Sequence, residues 1–93
     1  MGVYLNPPGI GPCEKSVWLR EQGTPLEGPP EWEDTPDGQC IICCVDNYGR
    51  FEAAAVCHNP EELAEFNRID DPRPKAWFYL DKKIVATAAR GLF

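Results

Sequence analysis

Apolar and polar positions along the chain change their period several times, and each change marks an element. "GVYLN" is a short β-type run closed by the turn formers Pro7, Pro8 and Gly9. "PCEKSVWLREQG" then reads as a helix. Pro12 suits the first helical position and Glu14 the positive N-terminal end, with Cys13, Val17 and Trp18 expected on one side. Gly23 and then Pro25 supply the stop. Residues 24–38, "TPLEGPPEWEDTPDG", are dense in proline and glycine, which predicts a long acidic loop with no regular element.

The segment "QCIICCVDNYGRFEAAAVC" reads as two strands around "DNYGR". With Asn47, Tyr48 and Gly49 as the loop, Gly49 takes the left-handed conformation, and Asp46 and Arg50 close the hairpin as an opposite-charge pair. That register sets Cys43 opposite Ala53, Ile41 opposite Ala55 and Val45 opposite Phe51. The other face then carries Ile42 and Cys44 across from Ala54 and Glu52, with Cys40 near Val56. "NPEELAEFNR" predicts a helix capped by Asn59, with Pro60 in the first position and Glu62 at capping-box spacing. Leu63 and Phe66 are its core residues. "DDPRP" ends that helix and "KAWFYL" predicts a strand, while residues 82–93 favour a further strand over a short helix.

This order, β-α-β-β-α-β, predicts one α+β domain over residues 1–93: a ferredoxin-like sandwich with two helices on one face of an antiparallel sheet. Both faces of the hairpin are largely apolar, with Glu52 the main exception, so the second face needs a cover. The candidates are Leu26 and Trp32 from the long loop, a second copy of the chain forming a homodimer through the open face, or a different partner.

Composition narrows the class. A 43 % apolar fraction over 93 residues fits a folded domain rather than a disordered tail. No apolar run reaches the roughly 20 residues that span a bilayer, which predicts no membrane association. The start has neither a basic nor an apolar leader region, so no secretory signal is expected. Five cysteines, an odd count without such a signal, predict reduced thiols and a cytoplasmic location. The net charge of −6 is uneven: residues 21–71 hold thirteen acids against only Arg50 and Arg68. Such a field makes nucleic acid an unlikely partner and favours a basic protein surface.

"CIICC", residues 40–44, concentrates three of the cysteines. Cys40 and Cys43, with Cys57 and the only histidine, His58, offer four soft ligands for tetrahedral zinc. A zinc knuckle converges its thiolates in a tight turn, whereas Cys40 and Cys43 on a strand point to opposite faces. A redox pair prefers a helix N-terminus, and a Cys40–Cys57 disulfide fits poorly with a reducing compartment. The leading reading is that the cysteines are buried small hydrophobes, with no metal and no cofactor. His58 beside Cys57 is badly placed as its base, and the acidic pairs Glu61–Glu62 and Asp70–Asp71 suit capping or solvation. No phosphate-binding or catalytic motif occurs, so an enzyme is not expected.

Two stretches remain. In "PPEWEDTPDG", Trp32 stands among Glu31, Glu33, Asp34 and Asp37, as an aromatic anchor for a basic pocket would, or as a plug folded back onto the sheet. "WFYLDKK", with Arg73 and Lys75 before it, has the mix that stacks bases, but consecutive aromatics also fill two sides of a sheet. In layout, "VYLNPPG", "WLREQGTP" and "VDNYGRFEAAAV" with "PEELAEF" and "RPKAWFYL" resemble small acidic proteins encoded by phages and prophages. The resemblance spans most of the chain and transfers no catalytic residue. It implies a stoichiometric inhibitor of host machinery, anti-CRISPR proteins among them, acting in the host cytoplasm. The expected function is therefore a non-enzymatic binding protein, inhibiting a host defence or nucleic-acid-processing protein through an acidic surface. The alternatives are a dimeric protein that sequesters a nucleotide-like signal, and a zinc-stabilised adaptor.

Overall fold

The computed structural model describes residues 3–5, 12–69 and 72–90. The turn at Pro7–Gly9, the Asp70–Asp71 pair and residues 91–93 lie outside the described residues, as do the side chains of Cys13, Glu14 and Glu52. The elements are β1 (Val3–Tyr4), α1 (Pro12–Gln22), β2 (Thr24–Leu26), a single 3-10 turn (Trp32–Asp34), β3 (Gln39–Asn47), β4 (Arg50–Cys57), α2 (Pro60–Arg68), β5 (Lys75–Asp81) and α3 (Lys82–Arg90). The class is α+β. The strands form one antiparallel sheet in the order β1-β4-β3-β5-β2.

That order departs from the ferredoxin-like expectation. A ferredoxin-like sheet inserts its first strand between the strands that correspond here to β4 and β5. Instead β5 pairs along β3, from Gln39↔Asp81 to Val45↔Lys75, and β1 is an edge beside β4. β3, buried on both faces by its Ile and Cys residues, accepts a neighbour on each side and so becomes the centre. The supposed loop also contributes a strand: β2 lies antiparallel to β5 with Pro25 opposite Phe78. An edge strand tolerates a proline, because the missing N–H faces away from the sheet.

The hairpin turn is tighter than expected. Asn47 pairs with Arg50, leaving Tyr48 and Gly49 as a two-residue loop with φ of 54° and 87°, the signature of a type I′ turn. Asp46 Oδ1 accepts from Gly49 N at 2.8 Å, so the aspartate braces the turn rather than pairing with Arg50 across it. Between Cys43↔Ala55 and Val45↔Glu52 the ladder shifts again, with Ala53 at φ 49° as the bulged residue. Turn and bulge each move the register by one residue. Beyond the bulge Ile41 lies opposite Cys57 and Ile42 opposite Val56, and every strand residue keeps its expected face. Phe51, between turn and bulge, is moved once only and changes sides. It packs with Ile42 and Cys44, at 5.4 Å from the Phe78 ring and beneath the Arg20 guanidinium.

Helices cover both faces, not one. On the first face, Leu5, Ile42, Cys44, Ala54, Val56, Phe78 and Leu80 pack under Leu19 of α1 and Val85 of α3. Among the described side chains of α1, Leu19 and Ser16 are buried and Trp18 packs against the same core, while Val17, expected on one side with Trp18, is exposed. Buried Ser16 is satisfied because its Oγ accepts from Phe51 N at 2.7 Å. Gly23 ends α1 where a Cβ would meet Leu19 O at 2.9 Å and Tyr79 O at 3.2 Å, which leaves room for glycine alone. α3 replaces the strand expected for residues 82–93: Asp81 Oδ1 accepts from Lys83 N at 2.7 Å and caps it.

On the second face, Ile41, Cys43, Cys57 and Trp77 pack under Leu63 and Phe66 of α2, with Leu26 and Trp32 completing the cover. α2 has the expected cap, Asn59 Oδ1 accepting from Glu62 N and Glu62 Oε1 accepting from His58 N, both at 2.8 Å. Lys75 Nζ closes its far end on Ile69 O at 2.8 Å. The face expected to be open for a homodimer is therefore occupied by the chain's own residues.

Candidate functional site

The acidic segment is held in place. Trp32 sits half-buried against the second-face core, which fixes the 3-10 turn on the sheet. Backbone bonds pin the rest: Asp34 N to Glu31 O at 3.1 Å, Thr35 N to Trp32 O at 3.2 Å, Gln39 N to Pro36 O at 3.1 Å, and Lys82 N to Gly38 O at 2.9 Å. Gly38, at φ 80°, supplies the left-handed residue that turns the chain into β3. Around this frame Glu31, Glu33, Asp34 and Asp37 are all exposed. Trp32 is thus the plug of the two readings, and its carboxylate neighbours are displayed from it.

Those acids lie beside α2. A groove of about 310 Å³ runs between Pro30, Glu31 and Trp32 on one wall and Pro60, Leu63 and Asn67 on the other. Glu61 and Glu65 on α2 are exposed, so the segment and the helix together carry acids over the second face of the sheet. The first-face layer is different: α1 presents Lys15, Arg20 and Glu21, and α3 begins with Lys82 and Lys83.

At the open end of the hairpin, the layers leave a cleft of about 700 Å³. Trp32, Glu33 and Asp37 form one wall, Cys40, Cys57 and His58 the strand ends, and Lys82, Val85 and Ala86 the wall from α3. Sequence reasoning missed this cleft, which exists only because α3 is a helix folded beside residues 32–40. Thr35 also lines it, and its Oγ1 is closed off from solvent without a hydrogen-bond partner.

The candidate zinc ligands are divided between the layers. Cys40 packs with the first-face core, Cys43 and Cys57 belong to the second, and His58 is exposed. Among the described residues no three of His, Cys, Asp and Glu group in a way that would hold a metal. Cys40, Cys43, Cys44 and Cys57 are free thiols. Burial pushes Cys43 up to about 11 and Cys44 and Cys57 up to about 12, and it raises Cys40 as well. These thiols stay protonated at neutral pH and are poor nucleophiles. Among the described residues, no helix is long and apolar enough to cross a membrane.

Comparison with known proteins finds no matching family model, no matching curated protein and no matching solved structure.

Proposed function

We propose that this chain is a non-enzymatic binding protein whose second-face layer, the segment Glu31–Asp37 with α2, occupies a basic surface on another protein. The observation that carries the reading is the rigid display of Glu31, Glu33, Asp34 and Asp37 on a turn clamped by Trp32 and by backbone bonds, next to the exposed Glu61 and Glu65. Carboxylates held in a fixed array lose little entropy on docking, and they steer encounter with a cationic surface. A basic surface of that kind is what a nucleic-acid-processing protein presents to phosphates. The target class is accordingly a host defence or nucleic-acid-processing protein, blocked stoichiometrically in the host cytoplasm, as the phage-protein resemblance implies.

The test is affinity capture from a bacterial lysate at two salt concentrations. Wild type is compared with the triple variant Glu31→Lys, Glu33→Lys, Asp34→Lys. Salt-sensitive capture of a basic protein, lost in the variant, is the expected result. Capture that is identical in both proteins and at both salt concentrations overturns the reading.

A further inference from the structure

The cleft at the open end of the hairpin holds about 700 Å³, and its walls differ in chemistry. One wall is aromatic and anionic, lined by the half-buried Trp32 with Glu33 and Asp37. The facing wall, from α3, is apolar at Val85 and Ala86 and carries a single ammonium at Lys82. We propose that this cleft receives an arginine side chain of the basic partner, its guanidinium lying between the Trp32 ring and the carboxylates of Glu33 and Asp37. This deepens the acidic-layer reading and rests on it for the identity of the partner as a basic protein.

The choice of arginine follows from the lining. A guanidinium is planar and weakly hydrated, stacks on aromatic rings and offers five N–H donors in a fork that suits carboxylates. A lysine ammonium is a compact, strongly hydrated charge that uses the ring and the paired acids less well. Lys82 repels a second cation but suits the carbonyl oxygens of the peptide on either side of the arginine. A volume of about 700 Å³ exceeds the need of one side chain and accommodates such a short peptide segment. The thiols of Cys40 and Cys57 at the floor, raised by burial, add no competing negative charge.

The probe is acetyl-Gly-Arg-Gly-amide, titrated into isotopically labelled protein and followed by amide and indole resonances. It is compared with the same peptide carrying citrulline or lysine. The arginine peptide should give saturable shifts at Glu33, Thr35, Asp37, Gly38 and the Trp32 indole. Citrulline, isosteric but uncharged, should bind about tenfold more weakly or less, and lysine roughly threefold more weakly. The variant Glu33→Gln, Asp37→Asn, altered only at exposed positions, should keep a dispersed spectrum and lose about tenfold in affinity for the arginine peptide. Equal binding of arginine and citrulline, an unaffected variant, or shifts confined to other regions would each overturn the seat.

A second variant, Glu61→Lys with Glu65→Lys, alters α2, none of whose described residues lines the cleft. If it loses lysate capture while the arginine peptide ignores the cleft, the seat falls and the acidic-layer reading stands. If the peptide seats while neither this variant nor the triple variant changes capture, the seat stands and the layer reading falls.

Discussion

The two covers of the sheet differ in both packing and charge. On the first face, α1 and α3 lie over a continuous core that includes Ile42, Cys44, Val56 and Leu80, all fully buried. Among the described side chains their outer surface is mainly basic, with Lys15, Arg20, Lys82 and Lys83 against Glu21. On the second face the core is smaller, and its cover is completed by Leu26 at the end of edge strand β2 and by Trp32 from the single 3-10 turn. The outer surface there carries Glu31, Glu33, Asp34, Glu61 and Glu65, with Arg68 as the opposing charge on α2. Stability is concentrated under one cover and the candidate binding chemistry on the other. A surface that must present fixed charge to a partner is free to do so where it contributes least to folding.

The sharpest way to break this contrast is to open each core in turn. Ile42→Ala, on the first face, should cost about 3–4 kcal/mol in urea denaturation. Trp32→Ala, on the second, should cost about 1–2 kcal/mol because the ring is only half-buried. It should also release the 3-10 turn, seen as faster amide exchange at Asp34 and Thr35. Equal losses at the two sites would remove the distinction between the covers.

Alkaline titration separates the faces by their thiols. A thiol whose folded pKa lies above its unfolded value, roughly 8.5, leaves the unfolded state with fewer bound protons above that pH. Stability is therefore full below about pH 8.5 and falls as pH rises toward the folded values, by up to ~1.4 kcal/mol per pH unit for each thiol. Two of the thiols with large shifts, Cys43 and Cys57, lie on the second face, and one, Cys44, on the first. The double variant Cys43→Ala, Cys57→Ala should flatten the slope between pH 9 and 11 about twice as much as Cys44→Ala does. Denaturation midpoints across that range decide it.

The smallest effect lies at the hairpin tip, which α1 touches through the Arg20 guanidinium on Gly49 O at 3.5 Å. Tyr48 is fully exposed yet holds φ 54°, a conformation that asparagine adopts more readily. Tyr48→Asn should raise stability by about 0.5–1 kcal/mol in thermal unfolding and leave lysate capture unchanged, since the acidic layer is elsewhere.

What the sequence made legible follows from how local each signal is. α2 was readable because Asn59, Pro60 and Glu62 place a cap, a first residue and a reciprocal acceptor within four positions. The strands of the hairpin and β5 were readable from their apolar runs. β2 was hidden because Pro25 reads as a breaker unless the strand is known to be an edge. The bulge at Ala53 carries no glycine to announce it, and α3 follows β5 with no break beyond Asp81, its start masked by Ile84, Val85 and Thr87. The acidic residues of the site were visible in the sequence. Their rigidity and the cleft were not, since both depend on contacts between residues 31–40 and elements that follow much later in the chain.

Resonance mapping with an octa-arginine peptide reads the charge asymmetry across the sheet most directly. Shifts should cluster on Glu31–Asp37 and on α2, α1 and Lys83 should stay unperturbed, and raising salt from about 50 to 200 mM should weaken binding several-fold. Shifts spread evenly over both covers, or binding indifferent to salt, would contradict it.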